Sequence, residues 1–278
     1  MPELPEVETI KRSLLPLLVG KKIINVDIKV PNLLKYPLAD KEHFEEVLKG
    51  STFLDIQRRG KYLLFHLNKG WILVIHLRMT GRLLYTPKDQ TIEKHTHVIF
   101  SLDDGNDLRF HDIRKFGLIY LVPQDGLHLL KGLSGLGPEP LSDDFSLDSF
   151  KLALKNKKQK IKPLLLNQNF IAGIGNIYAD EILFQAKVHP EEIISNLGED
   201  KIEKIYDAIR DRLTKGIEFR GTSIKDYVDG LGQSGMFQNE LKIYGKKGEL
   251  CLNCGHVFER INVGGRSSTI CPWCQKKN

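Results

Sequence analysis

Tyr62-Leu63-Leu64-Phe65-His66-Leu67, then Asn68-Lys69-Gly70, then Trp71-Ile72-Leu73-Val74-Ile75-His76-Leu77 is the run that decides the fold of the first half of this chain. Two apolar, β-branched and aromatic segments flank a short turn that ends in glycine, which predicts an antiparallel hairpin. Upstream, residues 22–30 and 52–59 have the same character and read as strands. A short helix over 41–48, ending at Gly50, lies between them. Downstream, 97–102 and 107–110 flank Asp103-Asp104-Gly105-Asn106, a second hairpin signal, and 118–122 is a further strand. Val7, Ile10, Leu14, Leu15 and Leu18 recur at helical spacing and predict a helix over 5–18, closed by Gly20. Antiparallel strands behind one leading helix pack most simply as a β-sandwich.

Residues 133–149 change character, with Gly135, Gly137, Pro138 and Pro140 ahead of Ser142-Asp143-Asp144, and read as a linker. Helical periodicity then takes over at 150–158, 161–167, 176–186 and 201–216. A glycine-rich, weakly patterned loop follows at 221–238, and 240–244 shows a short apolar-polar alternation. The expected division is a β-sandwich over 1–132, a linker over 133–149, a helical domain over 150–220, a loop over 221–239 and a cysteine-bearing segment over 240–278.

The 278 residues carry 41 Lys and Arg against 35 Asp and Glu, a formal charge of +6 that favours a polyanionic partner without proving one. No apolar run is long enough to span a bilayer, and the acidic, proline-bearing start is no signal peptide. A soluble, intracellular protein is expected. The four cysteines all fall within the last 28 residues, whereas a disulfide-stabilised secreted fold would spread them out.

Cys251-Leu252-Asn253-Cys254 and Cys271-Pro272-Trp273-Cys274 enclose sixteen residues. Two C-x₂-C pairs at that separation supply the four thiolates of a tetrahedral zinc site, with a hairpin between the knuckles. Such a site most often only holds a fold together. Arg266, beside Gly264 and Gly265 near the hairpin tip, can reach a phosphate or sugar; a solvated tip arginine is the plainer reading. Gly173, Gly175 and Asn176 sit between helical stretches. Glycines ahead of a helix start expose amide donors to an anion, and Asn caps helices well; an ordinary glycine turn fits too. Lys157 and Lys158 precede them in a basic run.

The first residues, Met1-Pro2-Glu3-Leu4-Pro5-Glu6-Val7-Glu8, admit two readings. Pro5, Glu6 and Glu8 suit the start of a helix. Removal of Met1 also leaves Pro2 as a secondary amine, which near neutral pH attacks aldehydes and sugar C1′ centres to form a Schiff base, with Glu3 beside it for proton transfer. Gly60-Lys61 between two strands places a lysine that is either exposed or held at a phosphate. His95 and His97 flank Thr96 and point to one face of a strand. Met79 and Arg114-Lys115-Phe116-Gly117 offer an apolar wedge with an arginine, the means of filling the gap left by an extruded base, although core Met and Phe are commoner.

These residues, in this order, with Gly60-Lys61-Tyr62, Glu93-Lys94-His95, Gly137-Pro138-Glu139-Pro140 and Gly173-Ile174-Gly175-Asn176-Ile177-Tyr178, closely resemble the bacterial formamidopyrimidine-DNA glycosylases. The resemblance runs almost end to end. It implies an α+β multidomain fold, with an N-terminal β-sandwich behind a leading helix, a helix–two-turn–helix domain, and a Cys₄ zinc-finger hairpin holding one structural Zn²⁺. It implies a cytoplasmic, monomeric enzyme that excises 8-oxoguanine and formamidopyrimidines from damaged double-stranded DNA and then cleaves the abasic strand, with no membrane partner. By the same resemblance Pro2 is the nucleophile and Glu3 the proton donor in base loss. Lys61 serves β-elimination and Arg266 δ-elimination. His95, Arg114, Lys157 and Asn176 contact DNA, Met79, Arg114 and Phe116 fill the void, and 221–238 covers the everted base.

Leu4 favours this branch over the related endonuclease VIII enzymes for oxidised pyrimidines, which usually begin Pro-Glu-Gly-Pro. A catalytically silent zinc-finger DNA-binding relative would differ at Pro2 and Glu3, both present here. Lys115 stands where many relatives have arginine, a change that keeps the charge. With Met1 retained, Pro2 carries an amide nitrogen and cannot act as the nucleophile.

Overall fold

The computed structural model describes residues 1–35 and 40–277. The chain divides into two compact units, Met1–Gly135 with Phe219–Gln238, and Leu136–Glu218 with Asn239–Asn278.

In the first unit, α1 (Leu4–Leu18) leads into β1 (Ile23–Ile28), and α2 (Lys41–Leu48) precedes β2 (Phe53–Arg59). There follow β3 (Tyr62–Leu67), β4 (Trp71–His76), β5 (Gly81–Pro87), β6 (Thr96–Leu102), β7 (Asn106–Asp112), β8 (Leu118–Pro123) and a short α3 (Lys131–Ser134). The strands form two four-stranded antiparallel sheets, ordered β1-β6-β7-β5 and β2-β3-β4-β8. Val26, Phe100 and Phe110 from one sheet and Phe65, Leu73 and Ile119 from the other join a single buried cluster with Ile10 and Leu14 of α1. This is a sandwich with a helix on its core, as the alternating apolar runs require.

The hairpin predicted at 62–77 is present, turning through Lys69 and Gly70 at φ 66° and 73°. Strand β5 is absent from the sequence reading. Arg82, Leu84 and Tyr85 are half-buried and Leu83 fully buried, and the run is held by pairing to β7 from Gly81↔Asp112 to Pro87↔Asn106. Its strand character comes from that partner rather than from its own pattern.

In the second unit, α4 (Leu147–Leu154), α5 (Ile161–Leu166), α6 (Asn176–Gln185) and the twenty-residue α7 (Glu199–Glu218) precede a two-stranded ribbon, β9 (Glu259–Val263) with β10 (Arg266–Ile270). Helix α4 starts and stops earlier than the 150–158 expected. Ser146 caps it, its Oγ accepting from Ser149 N–H at 3.1 Å, and Leu154 is its last residue. The alternation at 240–244 is not a strand. Glu181, 1 % exposed, draws the N–H groups of Lys242, Ile243 and Tyr244 to its carboxylate at 2.9–3.0 Å, so those donors are spent outside any sheet. Among the described residues no helix is long and apolar enough to cross a membrane.

Candidate functional site

The candidate catalytic residues Pro2 and Glu3 are buried at the entrance to α1, where Glu3 is the N-cap. Its N–H donates to Glu6 Oε2 at 2.8 Å, and Glu6 Oε1 accepts from Thr222 N–H at 2.8 Å. One buried carboxylate thus fixes both the start of the helix and the start of the 221–238 loop. Tyr227 adds to this tie, its hydroxyl donating to Arg220 O at 3.1 Å and lying 3.3 Å from Glu6 O. Burial pushes that phenol's pKa up, and the nearby Glu6 charge adds to the shift. Sequence reasoning treated Glu6 only as a match for the helix dipole. The Glu3-x-x-Glu6 spacing of a capping box was the available signal.

Lys61 is buried and occupies the second position of a two-residue turn between the paired residues Arg59 and Tyr62. Gly60 has φ +54° and Lys61 does not share that sign, the pattern that puts glycine first in a II′ hairpin. Arg58 links this turn to α1: its Nη1 donates to Gly60 O at 3.1 Å and its Nε to Glu8 Oε2 at 2.9 Å. Burial would raise the Glu8 pKa, but hydrogen bonds from Arg58 and Arg12 and the charge of Lys11 outweigh it and hold Glu8 ionised. His76 pairs with Tyr62 across the sheet, their rings 4.5 Å apart. Burial, then the positive charges of Arg78 and Lys61, bring the His76 pKa down to about 3. Its Nδ1 accepts from Arg78 N–H at 3.0 Å, so the neutral imidazole carries its proton on Nε2.

His95 and His97 do lie on one side of the sheet, rings 6.4 Å apart. Met79, Arg114 and Phe116 come together. Arg114 Nη1 lies 3.0 Å from Met79 Sδ, and its guanidinium sits 4.5 Å from the centre of the Phe116 ring. Met79 is 44 % and Phe116 50 % exposed, so neither is a core residue.

In the second unit Asn176 is not the N-cap; Gly175 is, and Asn176 is the first residue of α6. Its Nδ2 is drawn instead to Ser267 O on β10, at 3.1 Å. Lys162, fully buried, donates to Asp180 Oδ1 at 2.7 Å and to Ser267 O and Ser268 Oγ at 3.0 Å each. Strand β10, which begins with Arg266, is thereby pinned to the helices. Gly264 and Gly265, at φ 56° and 76°, form the I′ turn between Val263 and Arg266 and leave Arg266 exposed. Lys157 lies 5.8 Å from the centre of the Phe170 ring.

The four cysteine Sγ atoms lie within 4.8 Å of one another, Cys251 to Cys274 at 3.9 Å and Cys254 to Cys271 at 3.4 Å. Tetrahedral Zn–S bonds of about 2.3 Å require sulfur separations of about 3.8 Å, so the set fits one zinc ion. Phe184, Ile243 and Phe258 pack against Cys251 and Cys271 in the buried cluster behind it, as suits a structural rather than an open site.

The sequence matches the formamidopyrimidine-DNA glycosylase N-terminal domain over residues 1–119, the formamidopyrimidine-DNA glycosylase H2TH domain over 136–228, and a zinc finger found in FPG and IleRS over 248–277. It is 48% identical over 276 residues to the formamidopyrimidine-DNA glycosylase of Pelotomaculum thermopropionicum, covering 99% of both chains. Its backbone is similar to that of a Lactococcus lactis FPG mutant in complex with a Fapy-dG containing DNA, with a TM-score of 0.93 and 40% identity over 99% of this chain and 100% of that one. Lactococcus lactis Fpg in complex with an abasic site containing DNA gives 0.92 and 41%, with the same coverage. With two folded units, a Cys₄ ribbon and matches along nearly its whole length, the chain belongs to the formamidopyrimidine-DNA glycosylase family.

Proposed function

We propose that this chain removes oxidised purines, 8-oxoguanine and ring-opened formamidopyrimidines, from duplex DNA in base excision repair, and cuts the resulting abasic strand. The reading is carried by the end-to-end family match in a chain that keeps Pro2 and Glu3 at the buried start of α1. The two Lactococcus lactis complexes hold a lesion and an abasic site, the species that successive glycosylase and lyase steps bind in turn.

Once Met1 is removed, the Pro2 nitrogen attacks C1′ of the everted nucleotide, the N-glycosidic bond breaks, and Glu3 supplies a proton for base loss. The C1′–O4′ bond then breaks, O4′ takes up a proton as the sugar ring opens, and the product is an iminium joining Pro2 to C1′. Its positive charge acidifies the C2′ hydrogens, so loss of one of them expels the 3′-phosphate by β-elimination, and δ-elimination expels the 5′-phosphate. Lys61 serves the first elimination and Arg266 the second. His95, Arg114, Lys157 and Asn176 hold the strand, and such phosphate contacts give affinity that falls with salt. Met79, Arg114 and Phe116 offset part of the cost of unstacking, a few kcal/mol. Zinc, bound by Cys251, Cys254, Cys271 and Cys274, holds the ribbon's fold and takes no part in the steps. The enzyme acts in the bacterial cytoplasm, where its substrate lies.

Borohydride reduction in the presence of duplex DNA containing 8-oxoguanine is expected to trap a covalent adduct that maps to Pro2. Pro2→Gly is expected to weaken it sharply. An adduct of undiminished yield in that variant would refute the assignment of the nucleophile, and faster cleavage of thymine glycol duplexes than of 8-oxoguanine duplexes would refute the purine specificity.

A further inference from the structure

Asp112 closes β7 and is fully buried. Its Oδ1 accepts from Thr80 Oγ1 at 2.5 Å and from Arg114 N–H at 3.1 Å, and its Oδ2 accepts from Gly117 N–H at 2.8 Å. Its main chain is equally committed. Asp112 N–H donates to His95 O at 3.0 Å, and Asp112 O accepts from His97 Nε2 at 2.9 Å and from Lys115 N–H at 3.3 Å. One residue therefore touches the turn after Met79, both ends of the loop carrying Arg114 and Phe116, and the segment carrying His95.

That loop has little else to hold it. Residues 113–116 are all exposed, and Lys115 sits at φ +56°, a conformation a free loop of L-residues rarely keeps. Yet Arg114 reaches Met79 and stacks on Phe116. A carboxylate suits the task because three donors converge on it from three places in the chain. An amide of the same shape has one acceptor oxygen and would turn its NH₂ toward one of those donors.

We propose that Asp112 is a positioning residue that presets Met79, Arg114 and Phe116 as one rigid wedge, so that ordering them is completed in folding rather than on the DNA. This rests on the reading, given above, that the trio fills the gap left by the everted base. Side chains that must be ordered on binding each weaken it, and three together make excision slower by roughly 10- to 1000-fold.

The test compares wild type, Asp112→Asn, Thr80→Val, Phe116→Ala and the Asp112→Asn/Phe116→Ala double variant. Two reactions are read, single-turnover excision of 8-oxoguanine from a duplex and borohydride trapping on a single-stranded abasic oligonucleotide, which needs no base extruded. Phe116→Ala tests the wedge reading itself, and normal duplex excision in that variant refutes that reading. If it is slow, Asp112→Asn and Thr80→Val are expected to be slow on the duplex as well, to trap the single strand within about 3-fold of wild type, and the double variant to lose little beyond either single change. Slow Phe116→Ala beside wild-type duplex rates in both Asp112→Asn and Thr80→Val overturns the proposal alone. So does a parallel loss on both substrates in Asp112→Asn with Thr80→Val unaffected, which assigns Asp112 to the general fold. Thr80→Val removes a half-buried hydroxyl that donates to Asp112 and accepts from Arg114 N–H at 3.3 Å, leaving Asp112 itself in place, so it keeps the proposal testable if Asp112→Asn fails to fold.

Discussion

Replacing Lys162 by Met should be among the most damaging single changes in the second unit, and the structure says by how much. The ammonium is fully buried and meets Asp180 at 2.7 Å, with Ser267 O and Ser268 Oγ completing its three donor directions. Removing it leaves the Asp180 carboxylate, 3 % exposed, without its counter-charge. Breaking a buried pair from one side costs about 3–5 kcal/mol. Asp180 keeps two donors, Ser268 Oγ at 2.6 Å and Thr269 N–H at 3.2 Å, which place the expected loss at the lower end, about 3 kcal/mol. The sign of its pH dependence follows from Asp180. Burial already raises that carboxyl above its ordinary value, against the pull of Lys162, and removing Lys162 raises it further. A raised acid favours the fold below its unfolded pKa of about 3.9 and withdraws that stability as pH climbs through the folded value. The deficit of Lys162→Met should therefore be larger at neutral pH than in acid. Urea unfolding of the zinc-loaded protein as a function of pH, with hydrogen exchange of the β10 amides, measures it. The double change Lys162→Met/Asp180→Leu should recover most of the loss, since an apolar pair of similar volume often replaces a buried ion pair without cost. A deficit below about 1 kcal/mol at neutral pH would refute the view that this pair anchors the ribbon.

Two further outcomes are expected. His76, with a folded pKa of about 3 against an unfolded value near 6.5, lends stability that is complete above pH 6.5 and fades as pH falls toward 3, with a ceiling of roughly 4–5 kcal/mol; the pH profile of unfolding should flatten over that range in His76→Gln. Chelation of zinc should strip amide protection from β9 and β10 and abolish DNA binding while the sandwich core stays protected; exchange mapped by mass spectrometry checks this, and full protection of the ribbon after metal loss would contradict it.

Patterned segments were legible in the sequence because one local rule decides each of them. The 62–77 hairpin follows from its glycine turn and flanking apolar runs, α1 from its periodic leucines, and the zinc site from the spacing of its cysteines. Strand β5 was hidden because its character is supplied by β7, more than twenty residues on. The 240–244 segment is the converse case. It has a strand's alternation, but Glu181 on α6 takes its amides, and no local rule shows a carboxylate sixty residues away. The same limit applies at the candidate site. Pro2, Lys61 and Arg114 could be singled out by type and turn context, whereas Glu6 reads only as a match for the helix dipole and nothing singles out Arg58 and Asp112, because the partners through which they hold those segments arrive only with the fold.

Those hidden residues share one physical device. Glu6, Asp112 and Glu181 are each at most 1 % exposed, and each gathers main-chain N–H groups from a segment with no regular structure of its own. A carboxylate can accept several hydrogen bonds at once, and charge-assisted bonds are about twice as strong as neutral ones, so one acid can fix a loop that no sheet or helix organises. An enzyme whose substrate is a polyanion has a second reason to bury them. An exposed acid beside a DNA-holding arginine would cancel part of its attraction, while a buried acid ringed by donors adds little to the field outside. The chain's net charge of +6 understates its surface bias for this reason, because the acids that organise the candidate site are counted in the sum but kept from the solvent. Converting Asp112 to a neutral residue should therefore do little for electrostatic attraction to DNA, and its effect should be felt in the geometry of the loop it holds.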